Sequence, residues 1–200
     1  TIIFNKLGEI KKLNGDFIGA KEYYIKALFL DLENEETYRN LAEINKILGN
    51  NREAIENYEK SILLNPNNHL NYFSLADLYA ELGELTLAED FYSKTIKSDP
   101  TYIYALNARA KVKEKQKNFN GAIADYSKSI EINPKGFSYF KRGRLYEKLG
   151  LTSKALNDYS NLIKIYRDAI SYSVRGLFRF KNKNYIEAID DYNYAIKLDP

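Results

Sequence analysis

Side chains able to make or break bonds are scarce in this 200-residue chain. Cysteine is absent, which removes thiol catalysis, disulfides and Cys-ligated zinc together. His69 is the only histidine, so a Ser-His-Asp triad has a single candidate base and one chain cannot assemble a multi-His metal site. His69 opens a helical stretch and is expected at the surface. Carboxylates are plentiful, but Glu35-Glu36 and Asp190-Asp191 are neighbours in helical stretches, where adjacent side chains point about 100° apart. Such pairs form solvated faces rather than acid–base couples. No phosphate-binding loop, nucleophile elbow or HExxH pattern occurs. The residue types that remain suit recognition. Aromatic and aliphatic side chains interleave with cations in the C-terminal half: Tyr104, Lys111, Phe137, Phe140, Lys141, Arg144, Leu177 and Phe180, with Val174 and Lys181 beside them. Apolar anchors rimmed by cations are what a groove for a protein segment requires. The expectation is a non-enzymatic binding protein with no catalytic residue, metal or cofactor.

Charge sharpens that expectation. The net charge of +3 hides an asymmetry, since residues 1–102 carry 11 Lys/Arg against 17 Asp/Glu, and residues 103–200 carry 19 against 10. Screening over roughly 8 Å at physiological salt keeps two such regions electrically distinct. The C-terminal region is therefore expected to attract an acidic segment. Nucleic acid is the weaker reading, because the isoelectric point of 8.7 is only mildly basic and no RNA-binding motif occurs. With 44% hydrophobic and 28% charged residues the balance is that of a folded soluble domain, and no apolar run is long enough to insert in a membrane. The chain opens at Thr1 without a signal-peptide pattern, so an internal piece of a longer protein is expected, with the cytoplasm as the default compartment.

The elements that must position these residues follow from a repeat. Tyr24, Tyr58, Tyr92, Tyr126, Tyr159 and Tyr192 recur every 34 or 33 residues. Four residues before each stands an alanine: Ala20, Ala54, Ala88, Ala122, Ala155 and Ala188. Pro66, Pro100, Pro134 and Pro200 keep the same register, with Arg167 in the fifth place. Each unit reads as two helices, for example from about Glu36 to Leu48 and from about Glu53 to Leu64. Gly15, Gly49, Gly83 and Gly150 fall where a left-handed residue closes a first helix, and Asn-Pro or Asp-Pro stops a second. Paired helices approach closely where small residues meet, which pairs Gly8 with Ala20, Ala42 with Ala54, Ala76 with Ala88, Ala110 with Ala122, Gly143 with Ala155 and Gly176 with Ala188. The tyrosines are expected to fill the space toward the next pair. Where the first three units have Leu7, Leu41 and Leu75, the last three have Arg109, Arg142 and Arg175, each sixteen residues before Asp125, Asp158 or Asp191. Those three couples are expected to be structural ion pairs.

The pattern Leu41-Ala42, Ala54, Tyr58, Pro66, with Leu7-Gly8, Ala20, Tyr24 in the first unit and Leu75-Ala76, Tyr79, Ala88, Tyr92, Pro100 in the third, resembles the tetratricopeptide repeat (TPR). Phe4, Tyr38, Tyr72, Leu106, Tyr139 and Tyr172 stand where the family usually has tryptophan. The resemblance covers the whole chain as one array of six units, 1–34, 35–68, 69–102, 103–135, 136–168 and 169–200. It implies an all-α, right-handed superhelical solenoid of six helix-turn-helix units, with the first helices lining a concave face. It also implies a scaffold that binds a peptide or protein segment on that face, here chiefly through units 4–6, by Tyr104, Lys111, Phe137, Phe140, Lys141, Arg144, Leu177 and Phe180. The clamp with which some relatives hold a heat-shock protein's terminal carboxylate is not expected, since of its places, held here by Asn5, Glu9, Asn40, Leu70 and Ser74, only Asn40 fits. An alternative is self-association, head to tail or through an uncapped last face bearing Ile189, Tyr192 and Ile196.

Overall fold

Small residues at a 34-residue period, helix-forming stretches of about fourteen residues and regularly spaced turn glycines resolve, in a computed structural model describing residues 1–200, into twelve α-helices and no strand. In chain order they are α1 (Ile2–Leu13), α2 (Phe17–Leu30), α3 (Glu35–Ile47), α4 (Asn51–Leu64), α5 (His69–Leu82), α6 (Leu85–Ser98), α7 (Ile103–Lys115), α8 (Phe119–Ile132), α9 (Gly136–Lys148), α10 (Thr152–Tyr166), α11 (Ala169–Lys181) and α12 (Tyr185–Leu198). Their number matches six helix pairs. They gather into two compact units, residues 1–112 and 113–200. In the first, α1 packs on α2, α3 on α4 and α5 on α6, while α2 lies against α3 and α4 against α5. In the second, the sequence of contacts runs α8 to α9 to α10 to α11 to α12.

The alanines are the closest points of each hairpin and are fully buried at Ala20, Ala54, Ala88 and Ala155. The structure also shows why small residues must face them. A Cβ on Gly8 would come within 2.6 Å of the Tyr24 ring, and one on Gly143 within 2.9 Å of the Tyr159 ring. Such a tyrosine lies over the small residue of its own pair and, where another pair follows, can reach that one too. Tyr159 shows both, since its ring also meets Phe178 of α11 edge-on at 5.3 Å. Truncating such a buried ring costs about 3–5 kcal/mol, which makes the tyrosines the main anchors between pairs.

Where a first helix meets the preceding pair, its third position stays small or polar: Thr37, Asn71 and Ser138 are buried there. Each makes a hydrogen bond across the joint. Thr37 Oγ1 donates to Asn5 Oδ1 at 2.9 Å, Asn71 Nδ2 to the Ser61 carbonyl at 3.2 Å, and Ser138 bonds Ser129 at 3.0 Å. Turns after the first helices use the left-handed region at Gly15, Gly49, Gly83 and Gly150. In the fourth and sixth pairs the same place is taken by Lys117 at φ 63° and Lys183 at φ 64°, where a side chain is strained. The fifth pair lacks the terminal proline. Its α10 continues to Tyr166 before Arg167 closes it at φ 50°, and the Tyr166 ring occupies the space a Cβ on Gly136 would need.

Candidate functional site

Two of the expected ion pairs set the back of the second unit. Arg142 grips buried Asp158 with both Nε and Nη2, at 2.8 and 2.7 Å, and its Nη1 reaches Ser127 Oγ of the preceding pair at 2.8 Å. Arg175 repeats the grip on Asp191, with its shortest bond at 2.6 Å, and reaches Ser160 at 3.1 Å. Asp191 also takes a bond from Arg179 at 2.8 Å. Each arginine therefore ties a hairpin to itself and to its predecessor. In the fourth pair, Asp125 is met by Lys113 at 2.9 Å, while Arg109 reaches Ser93 at 2.9 Å. These charges are consumed by the fold, so they are not available to a ligand.

The other side of α9 borders a groove of about 590 Å³. Its apolar surface comes from Phe119 of α8, Phe140 and Leu145 of α9, and Val174, Leu177 and Phe178 of α11. Its cations are Lys141, Arg144, Lys148 and Lys181, against the carboxylates Glu114 and Glu147. Both carboxylates are engaged. Glu114 accepts the Tyr126 hydroxyl at 2.6 Å, and Glu147 accepts the Tyr159 hydroxyl at 2.9 Å and the Lys181 ammonium at 2.8 Å. Burial pushes the Glu147 carboxyl up, but the bonds from Lys181 and Tyr159 outweigh it and hold it below the ordinary value. Burial, followed by the bond to Glu147, raises the Tyr159 phenol well above its ordinary value, so it serves as a neutral donor.

Of the four cations of α9, Arg142 is bound to Asp158, while Lys141, Arg144 and Lys148 lie nearest to rings. Lys141 lies 5.8 Å from the Phe137 ring centre, Arg144 5.9 Å from Phe140, and Lys148 4.2 Å from Phe119. Their spacing of three and four residues places them on one stripe of the helix. The groove therefore offers half-exposed apolar surface edged by cations with hydrogen-bonding capacity to spare.

Four residues expected at a binding site, Phe140, Lys141, Arg144 and Leu177, come together in this groove, with Val174 and Lys181. Phe137 stands at its edge through its contact with Lys141 and packs edge-on against Tyr126 at 6.3 Å. Phe180 turns toward Tyr185 of α12, 5.7 Å away, and does not line it. Tyr104 and Lys111 belong to the first unit, where Tyr104 packs against Tyr102 at 5.4 Å. Phe119, Leu145, Lys148, Tyr159 and Phe178 were not foreseen at the groove. Lys148 was within reach of sequence reasoning, because it continues the stripe of Lys141 and Arg144. His69, expected at the surface, is half-buried instead, its ring 4.7 Å from Tyr102 and its Nε2 3.8 Å from Asp99, because the turn between α6 and α7 folds over the start of α5. On α12, Ile189 and Ile196 are 57% and 61% exposed, although the equivalent Ile55 and Ile62 are partly buried.

Comparison with known proteins adds three matches to family models described as tetratricopeptide repeat, over residues 48–103, 103–135 and 137–169. A comparison with curated proteins found no match. Among solved structures, a crystal structure of MamA is 28% identical, with a TM-score of 0.72, over 79% of this chain and 93% of that one. A second MamA structure is 27% identical, with a TM-score of 0.73, over 82% and 90%. YrrB, described as a TPR protein with an unusual peptide-binding site, shares the fold at 18% identity, with a TM-score of 0.69, over 88% and 92%.

Proposed function

The chain belongs to the tetratricopeptide repeat family and is a protein-interaction scaffold, and from that premise we propose that its second unit receives a segment of a partner protein in the groove between α9 and α11. The carrying observation is the set of Lys141, Arg144 and Lys148, held near rings and in no ion pair, beside half-exposed Phe140 and Leu177. An anchor side chain entering between Phe140 and Leu177 gains burial, while the cations fix its orientation. The groove volume falls within the roughly 300–1,000 Å³ usual for binding clefts. YrrB's peptide-binding site is a property of that protein and lends this reading precedent only.

Phe140→Ala removes the anchor's main contact. It should lower affinity for a partner captured on the wild-type chain roughly tenfold to a hundredfold, as truncation of a binding hot spot does. Circular dichroism should show the helical content retained. Unchanged affinity in a folded variant removes the groove from the interaction. Exposed Ile189 and Ile196 on α12 favour a second reading, contact between copies. Sedimentation separates the two, because a chain that stays monomeric at all concentrations excludes contact between copies and leaves the groove untouched.

A further inference from the structure

The charge arrangement at the groove narrows the chemistry of what it binds, provided the groove is the binding site as proposed above. Along α9 the axial rise between Lys141 and Arg144 is about 4.5 Å and between Arg144 and Lys148 about 6 Å. All three line the groove, each lies near an aromatic ring and none is ion-paired, although Arg144 also feels the Glu147 charge. A cation over a ring holds less than a charge-assisted hydrogen bond to a carboxylate, so each has more to gain from an incoming acid. The carboxylates already in the groove have hydrogen-bond partners other than these three cations. Glu147 is tied by Lys181 and the Tyr159 hydroxyl, and Glu114 by the Tyr126 hydroxyl.

We propose that the groove takes an acidic amphipathic helix from a partner protein. Carboxylates at i, i+3 and i+7 of that helix face Lys141, Arg144 and Lys148, and its neighbouring apolar stripe enters between Phe140 and Leu177. Periodicity selects the helix. Residues three and four apart on a helix rise by the same about 4.5 and 6 Å as the cations of α9. Same-face residues of an extended chain recur every roughly 6.7 Å and fall out of step by the third contact. Apolar and acidic demands on adjacent stripes of one segment define an amphipathic helix lying in a groove.

Selection from a displayed library of helical segments, randomised on one face and panned on the full chain, tests this directly. The enriched segments should carry Asp or Glu at i, i+3 and i+7 beside Leu, Ile or Phe. Their binding should weaken as salt rises and fall roughly tenfold on Arg144→Glu. They should also be lost on Phe140→Ala or, if that variant unfolds, on Leu177→Ser at an exposed position. Winners that are basic or uncharged, yet still lost on Phe140→Ala, overturn the acidic class while the groove reading stands. Winners interrupted by proline overturn the helix. Segments retained equally on both variants, or no enrichment over an empty support, overturn the groove reading and this inference with it.

Discussion

The two units build the same hairpins but spend their cations differently. In α1 and α3 every lysine or arginine lies near a carboxylate: Lys6 on Glu9 at 2.8 Å, Lys11 on Asp16 at 2.8 Å, Lys12 on Glu43 at 2.9 Å, Arg39 by Glu36 at 3.9 Å and Lys46 on Glu81 at 2.6 Å. In the second unit Arg142, Arg175, Arg179 and Lys181 are likewise paired, yet Lys141, Arg144 and Lys148 of α9 are left with rings. One backbone scaffold can therefore present a closed electrostatic surface or an open one. The difference lies in which positions of the first helix carry the cations. Lys12 and Lys46 find carboxylates about one repeat onward, in Glu43 and Glu81. At the place of the Lys46–Glu81 pair the second unit has the charges reversed, Glu147 with Lys181 at 2.8 Å, while Lys141, Arg144 and Lys148 stand where α3 has Asn40, Glu43 and Ile47.

The buried pairs give the largest test of that contrast. Asp158→Ala strands the Arg142 guanidinium and should cost the second unit about 3–5 kcal/mol in urea unfolding. Asn57, at the same place in the first unit, bonds only its own helix carbonyl at Glu53, so Asn57→Ala should change stability by less than about 0.5 kcal/mol. The double change Arg142→Leu with Asp158→Asn copies the first unit, where Leu41 stands opposite Asn57, and should recover most of the loss. Equal losses for Asp158→Ala and Asn57→Ala would erase the distinction.

Much of the fold was legible. The shared register of alanine and tyrosine placed the helices, and α3, read as about Glu36 to Leu48, runs from Glu35 to Ile47. The Arg142–Asp158 and Arg175–Asp191 couples were readable because a separation of sixteen residues faces two sides of one hairpin. The Lys113–Asp125 contact was not, because Lys113 is one of several lysines at the end of α7 and nothing in their spacing singles it out. The groove was half legible. Phe140, Lys141, Arg144 and Leu177 follow from one face of α9 and α11, whereas Phe119 begins the second helix of an earlier pair, and periodicity within one helix says nothing about that neighbour. The tie between Glu147 and Lys181 spans a whole repeat, and only side-chain placement reveals that it removes one cation from the expected set.

Turn chemistry sharpens the comparison at smaller amplitude. The first unit closes α1, α3 and α5 with glycine at positive φ, while in the second Gly150 does so once and Lys117 and Lys183 hold that conformation at the other two turns. Lys117→Gly and Lys183→Gly should each stabilise the second unit by about 1 kcal/mol, and Gly49→Ala should cost the first unit a similar amount, read as shifts in thermal midpoint. Failure of the lysine replacements to stabilise would show that their side chains contribute elsewhere.

Acid titration should give the smallest difference, with opposite signs in the two units. Burial raises the Asp77 carboxyl above its ordinary value despite the bond from the Tyr92 hydroxyl, so native Asp77 binds a proton more readily than the unfolded chain does. Its contribution therefore becomes more favourable as pH falls through that raised value. Glu147, held below its ordinary value, contributes stability that is present above the unfolded value and lost as pH falls through the folded one. Stability against pH for Asp77→Asn and Glu147→Gln should differ from wild type in opposite directions on acidification. Parallel curves would contradict this assignment.

Charge reversal in each unit, measured by calorimetric titration with one selected acidic segment, is the most direct test of the α9 cations as the binding feature. Arg144→Glu should weaken binding roughly tenfold with an unchanged unfolding midpoint. Lys46→Glu, which breaks a pair already closed to ligands, should leave the affinity within about twofold. An equal or larger loss at Lys46, or none at Arg144, would contradict the account.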